Sequence, residues 1–439
     1  MLFQAAAVLA TAGLVAGSRC KPHSSASSIA TSTSTFISSS STTGWENVYT
    51  ATGSAAVAAA AATARTSSPT SKVKGKVFDR YVSIWFENTD YAKAIADPNF
   101  AVFAKQGITL SNLFAVTHPS EPNYISVVGG DYFGMQNDNF NQVDFNVSTV
   151  FDLLDSKHIS WGLYQEDMPY SGFEGQGYVN QKTGANDYVR KHNPAVIFNS
   201  VAHFEDRLSQ IKNLSLIDET KSQFHADLKA NKLPQWLFIT PNMTSDAHDA
   251  TISFAGNWLK TFLTPLLDDK NFMDNTLVLI TFDENSNYAL KNNILSFVLG
   301  DAVPKHLAGT TDASFYNHYS ELATVEANWD LPTLGRWDVG ANVFQFVAQH
   351  TGDKVRAWDA SFEFDARYFF NTSYAGPFNT AKGGVRGYPA PNLALDKSVS
   401  GRRILESIKE TWKGSQNPTY YRDAVEVNDG LNPPAGYSL

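Results

Sequence analysis

The segment His118-Pro119-Ser120-Glu121-Pro122-Asn123-Tyr124 sets a hydroxyl at the start of a helix. The apolar run 110–116 before it reads as a strand, and Ile125-Ser126-Val127-Val128 after it reads as opening helical turns. The pattern predicts Ser120 at the N-cap and Pro122 in the first turn, places that favour those residues. Unpaired backbone N–H groups at such a point receive anions, so a hydroxyl there can face a phosphate. An ordinary capped helix would have the same sequence, and the motif alone leaves both readings open. Asn123, one turn on, could give its amide to a phosphate oxygen, and His118 must lie close to Ser120.

Carboxylates follow two apolar runs directly: Glu87, with Asn88 beside it, after 78–86, and Asp283-Glu284 after 276–282. A carboxylate at the end of a buried strand is costly unless it is solvated or paired. Two such clusters and an amide suggest a hard-cation site of oxygen ligands, suited to Mg²⁺, Ca²⁺ or Mn²⁺. Solvated turn residues are the alternative. In Thr244-Ser245-Asp246-Ala247-His248-Asp249, His248 between two aspartates could be a general acid or a phosphate ligand, its pKa raised by its neighbours. A solvated loop histidine fits equally well. His318, just before a predicted helix, is ambiguous in the same way.

The elements that must position these groups alternate. Strands are predicted at 78–86, 110–116, 160–164, 236–240, 276–282 and 294–299, and helices at 98–106, 147–157, 253–267 and 319–329. Two further helices are predicted within 203–231. The segment 165–199, rich in Gly, Asn, Tyr and Pro, reads as a long loop over the strand ends, a common place for function. The pattern predicts an α/β fold, a mostly parallel central sheet with helices on both faces. Ligands gather at the carboxyl ends of such strands, and four polar clusters fall at four of them.

Composition narrows the classes. Apolar residues make up 43% and aromatics 13% of 439 residues, and the net charge is −9, which gives no nucleic-acid footprint. Residues 1–18 read as a signal peptide, and 19–73, rich in Ser, Thr and Ala, as a disordered segment. The folded part is expected to begin near Lys74, with a catalytic domain over 74–355 and a C-terminal extension over 356–439 packed on it. No later stretch reads as a membrane span. The single cysteine, Cys20, excludes internal disulfides. Sequons at Asn146, Asn213, Asn242 and Asn371 fit a secretory route. No G-x-S-x-G elbow surrounds Ser120, which counts against an α/β-hydrolase, and there is no G-x-G-x-x-G and no P-loop.

Taken together, Glu87-Asn88, His118-Pro119-Ser120-x-Pro122-Asn123-Tyr124, Asp246-x-His248-Asp249, Thr281-Phe282-Asp283-Glu284 and His318-Tyr319-Ser320 resemble the fungal secreted acid phosphatases. These belong to the phosphoesterase family, which also holds bacterial phospholipase C-like enzymes, within the alkaline phosphatase superfamily. The likeness runs over 77–350, with the motifs in family order. It implies an alkaline phosphatase-like fold and hydrolysis of phosphate monoesters. It also implies Ser120 as nucleophile, Asn123 steadying the transferred phosphoryl group, and Glu87, Asn88, Asp283 and Glu284 as metal ligands. Asp246, His248, His318 and His118 match the polar shell around the phosphate.

Zinc members of the superfamily have Asp-His where this chain has Asp283-Glu284, and an aspartate where it has Asn242. The resemblance therefore implies one oxygen-ligated divalent ion rather than a two-zinc site. Asn242 is expected to carry no glycan, since one there would block the site; Asn146, Asn213 and Asn371 remain candidates. Two other readings stand beside the phosphatase: a phospholipase C-type phosphodiesterase, and a non-catalytic cell-wall glycoprotein on a Ser/Thr-rich stalk.

Overall fold

The computed structural model describes residues 53–356, 376–379, 387–396 and 401–421, all within a unit spanning Tyr49–Leu439. The expected signal peptide, most of the expected disordered segment and the Asn371 sequon lie outside the described residues. Among the described residues, no helix is long and apolar enough to cross a membrane.

Strand β1 (Arg80–Phe86) is β-branched and aromatic, and it is buried at every position after Arg80. Around it lie β2 (Ile108–Leu110), β3 (Trp161–Glu166), β4 (Ile211–Leu214), β5 (Trp236–Thr240), β6 (Thr276–Phe282), β7 (Phe297–Leu299) and β8 (Thr310–Asp312). They form one sheet in the order β8-β2-β7-β6-β1-β5-β3-β4. β7 runs antiparallel to both its neighbours and the other pairs are parallel.

Side chains alternate across a strand, so β1 serves two layers. Phe86 packs on Phe100 and Trp258, which come from the helices Pro98–Ala104 and Ile252–Leu263. Trp85 packs on Tyr124 and His318, at the helices Ser120–Gly129 and Tyr319–Trp329. Both of these last helices are buried along their whole length. The predicted mostly parallel α/β sheet with helices on both faces is the observed one.

Three local expectations differ. The strand expected at 110–116 divides: Ile108–Leu110 joins the main sheet, while Leu113–Phe114 turns away to pair with Tyr316–Asn317. Between the two helices expected in 203–231 lies the edge strand β4, too short for its own periodicity to show. It buries Lys212, whose ammonium lies 2.7 Å from the Asp227 carboxylate.

The ordered chain also starts before Lys74. Residues Ser54–Ala61 form a helix, and the segment after it is tied to the core through hydroxyls. Ser68 Oγ donates to Asp227 (2.9 Å), and Ser71 Oγ donates to Gln235 (2.6 Å) and lies 2.9 Å from Ser160 Oγ. Reading that stretch for apolar residues alone could not detect such docking. At the other end, buried Arg336 donates to the carbonyl of Pro389 (3.0 Å) and to the Tyr421 hydroxyl (2.8 Å). Tyr421 donates in turn to Asp131 (2.6 Å), so the described C-terminal residues are fastened beside the end of the Ser120–Gly129 helix.

Candidate active site

Register builds the centre. Phe86 pairs with Phe282, so Glu87 and Asp283 emerge side by side, and the Asp283 amide donates to the Phe86 carbonyl (2.9 Å). After β5, the chain turns through Asn242 to Asp246, whose carbonyl accepts from the Glu87 amide (2.9 Å). Three parallel strands thereby deliver Glu87, Asp283 and Asp246 to one place, all fully buried.

Ser120 is the first residue of its helix, and the N-cap is Pro119, so the serine sits one position further in than predicted. Its Oγ donates to Glu87 Oε2 at 3.1 Å. Tyr124, one turn on, donates to Glu87 Oε1 at 2.8 Å. Asn123 holds the turn ahead of the helix. Its Oδ1 accepts from the amides of Val116 and Thr117 (both 3.0 Å), and its Nδ2 donates to the Thr117 carbonyl (2.8 Å) and to Glu284 Oε2 (3.3 Å).

Glu284 Oε2 also lies 2.9 Å from His118 Nδ1. Asn88 has a left-handed backbone (φ 37°), which asparagine tolerates. Its amide donates to Asp283 Oδ1 (3.0 Å), while its own buried Oδ1 has no hydrogen-bond partner among the described residues. Of the four expected ligands, Asn88 meets Asp283 beside Glu87, while the Glu284 carboxylate is turned to His118 and Asn123.

Two groups missing from the sequence-based site are present. His192 lies with Nε2 3.0 Å from Glu87 Oε1 and Nδ1 3.5 Å from Asp246 Oδ2. Lys191 Nζ lies 3.1 Å from Asp138 Oδ2 and 3.3 Å from His248 Nε2. Both residues stand in the turn Arg190–His192, which follows the hairpin Gly177–Val179/Asn186–Val189. They thus come from the long loop that the sequence marked as functional without naming a residue in it. The consecutive Arg190-Lys191-His192 was the available signal.

His248 is partly exposed, with Nδ1 2.7 Å from Asp249 Oδ1, and its amide donates to Asp246 Oδ1 (2.7 Å). His318 is placed differently. Its ring stacks on Trp85 (4.3 Å between centroids), and Nε2 bonds the Asp283 carbonyl at 2.7 Å. Burial pushes its pKa down to about 3, so it is a neutral ring supporting the strand end rather than a cation.

Electrostatics show what the centre lacks. Burial, then the charges of Asp283 and Asp246, push the Glu87 carboxyl well above its usual range. Burial likewise raises Asp246 and Glu284 strongly, and it brings Asp283 up to about 6. Burial opposes the Lys191 charge, but Glu87 and Asp138 outweigh it and hold that pKa above the lysine norm. Asp246 Oδ2 and Asp283 Oδ2 are buried without hydrogen-bond partners among the described residues.

Such a set asks for a cation. Ligand atoms of Glu87, His192 and Asp246 lie within 4.8 Å of one another, which fits a single metal ion. The set shares Glu87 with the expected one, takes Asp246 from the expected phosphate shell and adds an imidazole, so it is mixed oxygen and nitrogen rather than oxygen alone.

Fold and centre together define a class: an α/β protein with a hydroxyl and clustered carboxylates at the carboxyl ends of its strands. The chain belongs to the Phosphoesterase family, a hydrolytic family whose match spans residues 89–332, over half of the chain. An acid phosphatase from Aspergillus fumigatus is 49% identical over 355 residues, 80% of this chain and 76% of its own length. A phosphate-repressible acid phosphatase from Penicillium chrysogenum is 49% identical over 368 residues, 83% of this chain and 85% of its own length. Among solved structures, a protein in the alkaline phosphatase superfamily from Vibrio parahaemolyticus matches with a TM-score of 0.38 at 12% identity, covering 62% of this chain and 72% of that one.

Proposed function

We propose that this protein is a secreted acid phosphatase that hydrolyses phosphate monoesters through a phosphoserine at Ser120. The observation that carries the reading is the 3.1 Å hydrogen bond from Ser120 Oγ to Glu87 Oε2 at the start of a buried helix. The acid phosphatase names of its relatives, at 49% identity, supply the substrate class.

Glu87, His192 and Asp246, with Asp283 and Asn88 beside them, would hold a divalent cation. When bound, that ion supplies positive charge for phosphate oxygens and lowers the pKa of a neighbouring hydroxyl. The chain's own groups then divide the work. Ser120 Oγ attacks phosphorus while its proton passes to Glu87 Oε2, so the Oγ–P bond forms as the bond to the leaving oxygen breaks. As substrate draws Lys191 Nζ onto the phosphoryl oxygens, His248 Nε2 is released to carry a proton, which it gives to the leaving alkoxide while Asp249 holds Nδ1–H.

Lys191, beside His248, offers fixed positive charge to the phosphoryl oxygens. Asn123 acts by holding the turn that aims Ser120, and His118 by fixing Glu284. Water then attacks phosphorus as its proton passes to His248, the Oγ–P bond breaks, and Ser120 Oγ takes back the proton from Glu87 as inorganic phosphate is released.

Secretion rests on the apolar N-terminal run and the sequons. Asn146 is exposed, whereas Asn242 is buried with its amide on Asp167 (2.7 Å), which suits an unmodified residue.

The test is acid quenching during turnover of a chromogenic monoester, followed by mass spectrometry of the Ser120 peptide. A phosphorylated Ser120, and loss of nearly all turnover in Ser120→Ala, are expected. Near-normal turnover in that variant overturns the assignment. A bis-ester turned over in place of the monoester would make the protein a phospholipase C-type diesterase.

A further inference from the structure

An open cleft of about 640 Å³ adjoins the centre, lined by Asn88, Asp90, Lys93, Ser286, Asn287 and Tyr288. Two of these residues belong to both. Asn88 follows Glu87 and donates its amide to Asp283, and Tyr288 donates to Glu284 Oε1 (3.3 Å). The Tyr288 ring also lies against buried His118, with centroids 3.9 Å apart and a tilt of 36°. An aromatic ring aimed by two contacts yet 42% exposed is a platform with room for another ring.

The rest of the cleft is polar and nearly charge-neutral. Asp90 Oδ2 pairs with Lys93 Nζ at 2.9 Å. Asp90 Oδ1 accepts from the Ser286 amide (3.1 Å), the Ser286 hydroxyl (3.0 Å) and the Asn287 amide (2.9 Å). The loop bearing Tyr288 is thereby pinned to the residues just after β1. Asparagines lining the same cleft as one exposed aromatic ring suit a planar group with polar edges better than a second charged phosphate or a long alkyl chain.

We propose that this cleft is the leaving-group subsite, and that Tyr288 selects phosphomonoesters whose alcohol carries a planar ring with hydrogen-bonding edges, such as nucleoside monophosphates. The proposal rests on the phosphatase reading and adds the substrate class. Tyr288 acts as a specificity-determining residue. It stacks on the ring of the departing alcohol and takes no part in bond making.

Adenosine 5′-monophosphate and glycerol 3-phosphate test it, because both release a primary alcohol and so differ little in intrinsic reactivity. Tyr288→Ala is expected to lower the ratio of their kcat/KM values about tenfold, mainly through KM for the nucleotide. Tyr288→Phe keeps the ring and should keep the ratio. Asp90→Ala frees the loop without touching the ring and should lower the ratio as well. An equal loss on both substrates in Tyr288→Ala makes Tyr288 a mere support for His118 and Glu284 and overturns the proposal, as does an unchanged ratio. Wild-type enzyme that hydrolyses neither ester overturns the phosphatase reading itself.

Discussion

Glu87 and Asp283 are neighbours by register, because each follows directly on one member of the Phe86–Phe282 pair that joins β1 to β6. Asp246 meets them through the hydrogen bond of its carbonyl to the Glu87 amide (2.9 Å). Like charges held together out of water destabilise the protein that holds them, and a bound substrate or cation relieves them. Function and stability should therefore respond oppositely at this place.

Glu87→Gln removes one charge and keeps the shape. In chelator, its Tm should lie above that of the wild type by about 2 °C, the size expected when ~1 kcal/mol of repulsion is relieved in a chain this large. Its turnover should fall by about 100-fold or more, as the Ser120 proton loses its acceptor. Thermal scans in chelator with parallel assays check both. A variant both less stable and active would remove Glu87 from the role given to it.

Cation binding should be visible without any assay of activity. Saturating divalent ion should raise the Tm of chelator-treated protein, by ~2.7 kcal/mol of stability at 100 times the Kd. His192→Ala withdraws the imidazole beside Glu87 and Asp246 and should shrink the shift strongly. An equal shift in His192→Ala would place the ion elsewhere among the carboxylates.

Lys191 lies between Asp138 and His248 at the edge of the centre. Lys191→Gln should weaken inhibition by inorganic phosphate about tenfold, since a charge-assisted contact to phosphate is worth ~1.5 kcal/mol or more. Lys191→Arg should recover part of that loss. Unchanged phosphate inhibition in Lys191→Gln would mean that its ammonium serves only to offset the carboxylates.

The parts of this site that a sequence could reveal were those attached to regular elements. Glu87 and Asp283 follow apolar runs without a break, and Ser120 opens a helix, so burial and position could be inferred together. Lys191 and His192 arrive through a hairpin and a short turn inside an aperiodic loop, where no spacing says which way a side chain faces. His318 was visible as a residue before a helix, but its contact with the Asp283 carbonyl depends on how that helix packs beneath β1. The same holds for the docking of residues 53–73, which relies on hydroxyl hydrogen bonds rather than an apolar pattern.

Glu321 gives the last prediction, on pH. It sits in the Tyr319–Trp329 helix beneath β1 and accepts from Ser83 Oγ (2.6 Å), Tyr81 (3.0 Å) and Trp85 Nε1 (3.1 Å). Burial nonetheless pushes its carboxyl up to about 7, because three hydrogen bonds do not replace full hydration of the charge. The unfolded chain ionises near the ordinary value of 4.5, and between there and pH 7 it holds fewer protons than the folded one. Stability from this group is thus complete below pH 4.5 and is lost as pH rises toward 7, by ~3 kcal/mol in all. A folded state favoured on the acid side suits an acid phosphatase. Glu321→Gln, measured by thermal unfolding from pH 4 to pH 8 with divalent ion saturating, should flatten that decline. A decline as steep as the wild type's would assign it instead to other buried carboxyls, of which Glu326, raised well above its usual range by burial, is the next to replace.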